Sequence, residues 1–272
     1  MKIWFNSLYE GAITVKTIAF LNIKGGVGKT TSSVNIAAGL SDKGKRVLFI
    51  DYDKQGNASK FFQTSSEVTI GDVIAGYFTI DKAMYKVEDN FYFVPSAMDI
   101  KQVEIDLQRN PKGAKHDILR NQLDLVKDKF DYCVIDCHPD MNILIINAIF
   151  ASDYLIIVIK PEPFAIDGFQ NTLEDIVNFR KIINLPIEPY ILFAIVTRIN
   201  DEKIIMKTVT EMAADKVFDT RIRYQNAPVV RAAIEKKMVI RSHFPLPGIV
   251  PGVAKDLRDA VDEILRRFPS AT

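Results

Sequence analysis

The stretch Lys24-Gly25-Gly26-Val27-Gly28-Lys29-Thr30-Thr31 constrains this chain more than any other. It lies between a short apolar run, Lys16 to Ile23, and a segment carrying Val34, Ala37, Ala38 and Leu40 at helical spacing. The order is therefore strand, glycine loop, helix. Glycines let backbone N–H groups converge on an anion with no Cβ in the way, and the start of a helix adds positive potential. Lys29 can reach the β and γ phosphates and Thr30 can hold Mg²⁺, so Gly25, Gly26, Val27, Gly28, Lys29, Thr30 and Thr31 read as a nucleoside triphosphate cradle. The usual pattern GxxxxGK[ST] is not met, because its first glycine would fall on Ile23, and Lys24 is extra.

Beyond the loop, the first helix should stop near Asp42 to Lys45, where Gly44 can supply a left-handed stop, and Arg46 to Ile50 resumes as an apolar strand ending in Asp51. Further apolar runs, Phe91 to Val94, Tyr132 to Ile135, Tyr154 to Ile159 and Ile191 to Val196, alternate with helical segments around 98–110, 114–129, 142–151 and 166–184. Strands without polar alternation are covered on both faces. The fold class is α/β: a doubly wound, mainly parallel sheet with helices on both faces, a single phosphate-loop domain over 15–272. Residues 1–14 precede the first strand and are expected to be a dispensable extension, despite Trp4, Phe5, Leu8 and Tyr9.

Composition narrows the class. With 35 Lys and Arg against 34 Asp and Glu, the net charge of +1 excludes a chain coated throughout in basic residues. The longest apolar run, Tyr190 to Val196, falls far short of the roughly 20 residues of a membrane-spanning helix. Two cysteines, Cys133 and Cys137, are expected to be a reduced core thiol and a loop thiol, which places the chain in the cytoplasm. The closing helix, Val253 to Phe268, aligns Leu257, Val261, Ile264, Leu265 and Phe268 on one stripe, with Asp256 and Glu263 among the polar residues elsewhere; it is expected to pack on the sheet rather than lie on a membrane.

The loop, together with RVLFIDYDKQGNAS (46–59) and DYCVIDCHPDMNILIINAIFASDYLIIVIKPEPFAIDGF (131–169), resembles the deviant Walker A ATPases of the ParA/MinD group over about residues 16 to 240. The Gly56-Asn57 pair and the PEPFAIDGF stretch favour the partition branch. The resemblance implies an ATP- and Mg²⁺-dependent homodimer that binds DNA non-specifically, is released after hydrolysis stimulated by a ParB-type partner, and associates with the nucleoid. It implies catalytic roles for Lys29, for Lys24, which would reach the partner subunit's nucleotide, and for Asp53, which would orient water. Asp136 matches the Walker B acid, and Asp51 would support the metal, both through water; Asp51 or Asp53 could instead cap a turn. Asp51 and Asp53 are expected to point to opposite sides of their strand.

The family usually has Cys-Pro-Pro-Ser where this chain has Cys137, His138, Pro139 and Asp140, and Pro where it has Lys54. His138 is expected to pack in its loop or start a helix, and Asp140 to be the N-cap. Adenine is expected near Thr197, Arg198 and Asn200 or near Arg223 to Asn226. Between Arg198 and Arg241, ten Lys or Arg stand against six acids, so Arg221, Arg223 and Arg231 are the leading DNA candidates. A MinD-like positioning ATPase on the membrane is the alternative.

Overall fold

The computed structural model describes residues 15–22, 24–62, 67–96, 102, 103, 105, 116–139, 142–183, 189–242 and 252–270. The expected extension 1–14, most of the expected helix 98–110, Ile23 and Asp140 lie outside them. Among the described residues, the strands are β1 (Lys16–Leu21), β2 (Val47–Tyr52), β3 (Tyr85–Glu88), β4 (Phe91–Val94), β5 (Tyr132–Cys137), β6 (Tyr154–Ile159), β7 (Pro189–Val196) and β8 (Val217–Arg223). They form one sheet in the order β3-β4-β2-β5-β1-β6-β7-β8, parallel throughout except for the pair β3–β4.

The helices are α1 (Lys29–Asp42), α2 (Asn57–Phe62), α3 (Ile70–Ile74), α4 (Ile80–Ala83), α5 (Ile118–Asp124), α6 (Ile143–Ala151), α7 (Ala165–Ile183), α8 (Asn200–Ala213), α9 (Asn226–Glu235) and α10 (Val253–Arg267). Strand alternation builds two cores. Ile18 and Phe20 of β1 pack on the face covered by α1 and α10, while Ala19 and Leu21 face the core that holds Ile145, Ala148 and Ile149 of α6. Each fully buried large side chain contributes about 1.5–3 kcal/mol. Gly44, at φ 79, ends α1 in the left-handed turn expected of it.

Two strands are additional to those read from the sequence. β3 is a short exposed edge, and β8 (VFDTRIR) is broken by Asp219, Thr220 and Arg221. The second owes its place to α10. Where the register of β8 against β7 shifts, Glu263 accepts hydrogen bonds from the N–H groups of Asp219 and Thr220, each at 2.9 Å. One strand-end further on, Asp256 accepts from the Arg223 N–H at 3.0 Å and from its guanidinium at 2.6 and 2.7 Å. Residues 256 and 263 are two helical turns apart, hence on one face. Both are buried, which corrects the expectation that they belong to the outer face of the helix.

The apolar stripe of α10 is also inward, with Leu257, Val261, Ile264 and Phe268 inaccessible. Phe268 stacks on Tyr154 at 4.0 Å, and the Tyr132 hydroxyl donates to its carbonyl. Among the described residues no helix is long and apolar enough to cross a membrane.

Candidate functional site

The ends of β1, β2 and β5 converge beneath the glycine loop. Gly26 and Gly28 have φ of 75 and 92, backbone that a side chain would strain, and Gly28 is the N-cap of α1. No side chain caps this helix and no acid sits in its first turn, so its N–H groups are available to an anion. The Ile195 side chain, on a bulged part of β7 at φ 58, closes beneath Gly28, 3.4 Å from where a Cβ would stand.

Asp51 and Asp136 are partners in the β2–β5 register. Both are buried, and Asp53 joins them. The expected separation of Asp51 from Asp53 does not occur, because alternation separates a residue from its neighbour and returns the next one to the same side. Asp51 is fully engaged: one oxygen accepts the Asp53 N–H at 3.2 Å, the other the N–H and hydroxyl of Ser59 at 2.8 and 2.7 Å. Burial pushes its carboxyl up to about 6 against those donors.

Asp136 differs. Neither of its buried oxygens has a hydrogen-bond partner. Burial first and the Asp51 charge second push it up to about 7, against the pull of the nearby Thr30 hydroxyl and Lys29 ammonium. Lys29 is itself buried. The turn after Asp53 is held without the family's proline: Gln55 N–H donates to Asp53 Oδ1 at 2.8 Å and Gly56 N–H to the Asp53 carbonyl at 2.8 Å.

Lys24, 44% exposed, lies 2.5 Å from Glu162, whose other oxygen takes Lys160 at 2.5 Å. A cleft beside the loop is lined by Gly28, Thr31, Ser32, Ala194, Ile195 and the segment Arg223 to Asn226. Of the two expected base-contact regions, this brings the second to the loop. Thr197 is instead bound through its N–H and hydroxyl to Glu202, at 2.6 and 2.8 Å.

Two expectations, on Cys137 and on the helix cap, are corrected here. Cys137 is not a loop thiol but the last residue of β5, inaccessible, its thiol driven far above the ordinary value by burial and then by Asp136. The N-cap of α6 is Asn142, accepting from the Leu144 and Ile145 N–H groups at 3.0 Å. His138 is buried with its Nε2 3.7 Å from Asp53 Oδ1. Of the three DNA candidates, Arg221 is exposed on β8, Arg231 pairs with Glu235 at 2.7 Å on the exposed face of α9, and Arg223 is clamped to Asp256.

A mainly parallel, doubly wound sheet with a lysine-bearing glycine loop between β1 and α1, and an acid at the end of the adjacent β5, defines a P-loop nucleotide hydrolase. Residues 15–189 match the AAA domain family. The chromosome-partitioning ATPase Soj of Treponema pallidum is 32% identical over 210 residues, 76% of this chain and 82% of that protein. The sporulation initiation inhibitor protein Soj of Bacillus subtilis is 34% identical over 223 residues, covering 78% and 87%. The chain belongs to the ParA/Soj family of partition ATPases. Two solved structures share the fold. A putative plasmid partition protein of Borrelia burgdorferi, bound to AMPPNP, has a TM-score of 0.73 at 23% identity over 94% of this chain and 100% of that one. A Cyanothece McdA–ATP complex has a TM-score of 0.80 at 21% identity over 94% and 98%.

Proposed function

We propose that this chain is an ATP-driven dimerisation switch of a plasmid or chromosome partition system. The observation that carries the reading is Asp136. A buried carboxylate with no partner on either oxygen, beside a threonine hydroxyl and below a phosphate loop, suits a hard cation that keeps part of its water shell. Among the described residues no three His, Cys, Asp or Glu side chains converge to hold a metal alone. Thr30 and Asp136 therefore fit Mg²⁺ bound jointly with phosphates, with Asp51 supporting the loop around it. When bound, Mg²⁺ neutralises phosphate charge and orients the triphosphate.

The chain's own residues supply the remainder. The N–H groups of Gly25 to Thr31 receive phosphate oxygens, and Lys29 places a charge on the β and γ phosphates. Asp53 orients the attacking water. Lys24, exposed at the rim, exchanges Glu162 for the nucleotide of a second copy, which makes the dimer depend on ATP. The segment Arg223 to Asn226 borders the base.

DNA binding falls to Arg221, Arg231, Lys236 and Lys237, which are exposed near β8 and α9. Arg223 and Arg241 serve inside the fold, Arg241 bridging Asp42 and Glu88. Pairing two copies doubles the basic surface and couples DNA affinity to ATP. A ParB-type partner would stimulate an otherwise weak hydrolysis and so release the dimer, and the working place is the nucleoid in the cytoplasm. The test is DNA binding with ATP, ADP and no nucleotide, in wild type and Lys24→Ala. Binding with ATP alone, lost in Lys24→Ala while MgATP affinity persists, is expected; DNA binding indifferent to nucleotide would refute the switch.

A further inference from the structure

The parallel register sets Asp51 against Asp136 and ends with Tyr52 against Cys137. Beyond the strand ends, the next residues are Asp53 and His138. Their side chains are 9% and 5% exposed, with His138 Nε2 3.7 Å from Asp53 Oδ1. The imidazole is therefore placed by the sheet, and Pro139 restricts its backbone further, since a residue before proline is held near extended geometry. It is not needed to start α6, because Asn142 caps that helix.

We propose that His138 is a positioning residue for Asp53: its Nε2–H faces the Asp53 carboxylate and fixes the direction in which that carboxylate meets the attacking water. The proposal rests on the reading of Asp53 as the water-orienting acid and adds the group that holds it. The Gln55 N–H at 2.8 Å and His138 both address Oδ1, so Oδ2 is the oxygen that receives the water. A second donor closing on Oδ1 in the substrate complex would restrict rotation of the carboxylate about its last bond more than the backbone donor does alone. At 3.7 Å the contact is longer than a hydrogen bond; catalytic hydrogen bonds often tighten only in the substrate complex. The contact needs a proton on Nε2, which both the neutral ring in one tautomer and the charged ring provide. No proton leaves His138 in this role.

The test uses the full chain with MgATP. His138→Ala should lower the single-turnover hydrolysis rate by about ten- to a hundredfold, with the Kd for MgATP kept within about threefold. His138→Gln, whose amide can donate from a similar place, should recover most of the rate. In an Asp53→Ala background His138→Ala should cost nothing more, because it acts through Asp53. An independent readout needs no turnover: the chain has three histidines, at 116, 138 and 243, and Asp53→Asn should move the ring nitrogen resonances of His138 while leaving the other two in place. A wild-type rate in His138→Ala, no recovery in a His138→Gln variant of wild-type melting temperature, further slowing in the double variant, or unmoved His138 resonances would each overturn the proposal while Asp53→Ala stays impaired. A wild-type rate in Asp53→Ala would remove the underlying reading and this one with it.

Discussion

Asp136 is ionised at a cost that the folded, nucleotide-free chain bears alone. Its carboxyl titrates near 7 in the fold and near 3.9 in an unfolded chain, so the folded state binds the extra proton between those values. Stability therefore falls as pH rises through that interval and levels off above it. Asp136→Asn should raise the melting temperature of the nucleotide-free protein at pH 8, by the equivalent of about 1–2 kcal/mol once the unpartnered amide is allowed for. The advantage should vanish towards pH 4, where the wild-type residue is neutral, and MgATP binding should be lost. Calorimetric scans at pH 8 and pH 4.5 decide it; an equal gain at both would show that the carboxylate carries no such strain. The loop, the acid and the lysines were legible at this scale because phosphate chemistry demands fixed residue types at fixed spacing. The neighbourhood of His138 was not, since it depends on the alignment of β2 with β5, two strands far apart in sequence that one-dimensional spacing cannot register.

At the scale of elements, β8 shows how an edge strand can be invisible to pattern. Where its pairing with β7 is irregular, the N–H groups of Asp219, Thr220 and Arg223 are satisfied by carboxylates on α10, so it holds its place without an unbroken apolar run, and its arginines look like a nucleic-acid surface although one of them is a clamp. Glu263 makes the same point through its charge state. Burial alone would raise its carboxyl, but the N–H groups of Thr220 and Asp219 and the Arg267 guanidinium hold it below the ordinary range, so its contribution is present above about pH 4.5 and fades in acid. The two arginines of β8 should accordingly behave differently. Arg223→Ala should cost about 1–3 kcal/mol by leaving Asp256 buried with two of its three hydrogen bonds from Arg223 gone. Arg221→Ala should leave the melting temperature alone and reduce the slope of log K for DNA against log salt by about two, one phosphate from each copy. Chemical denaturation and a salt titration of DNA binding separate the two; a reduced slope from both, with no stability loss in Arg223→Ala, would return Arg223 to the DNA surface. The buried strands β1, β2, β5, β6 and β7 were legible because a strand covered on both faces must be apolar throughout.

For the molecule as a whole, the sheet begins at Lys16, and we propose that the domain runs from residue 15 through α10 with residues 1–14 dispensable. A chain beginning at Val15 should keep its melting temperature within about 2 °C, as for changes that remove no packing, and bind MgATP unchanged; a loss of several degrees would assign Trp4, Phe5 and Tyr9 to the core. The opposite end cannot be spared. The aromatic ring of Phe268 lies on Tyr154, the Ile240 N–H bonds back to Asn35, and β8 is fastened by Asp256 and Glu263. Synthesis runs from the N-terminus, so the phosphate loop and the central strands leave the ribosome well before the helix that seals one face of their sheet. Until residues 253–270 emerge, the nascent chain presents the outer face of α1, the rings of Tyr154, Tyr190 and Phe218 that Phe268 covers, and an unfastened β8 edge to whatever is nearby. The capacity to hold a nucleotide would then arrive early, and solubility only with the final turn of helix.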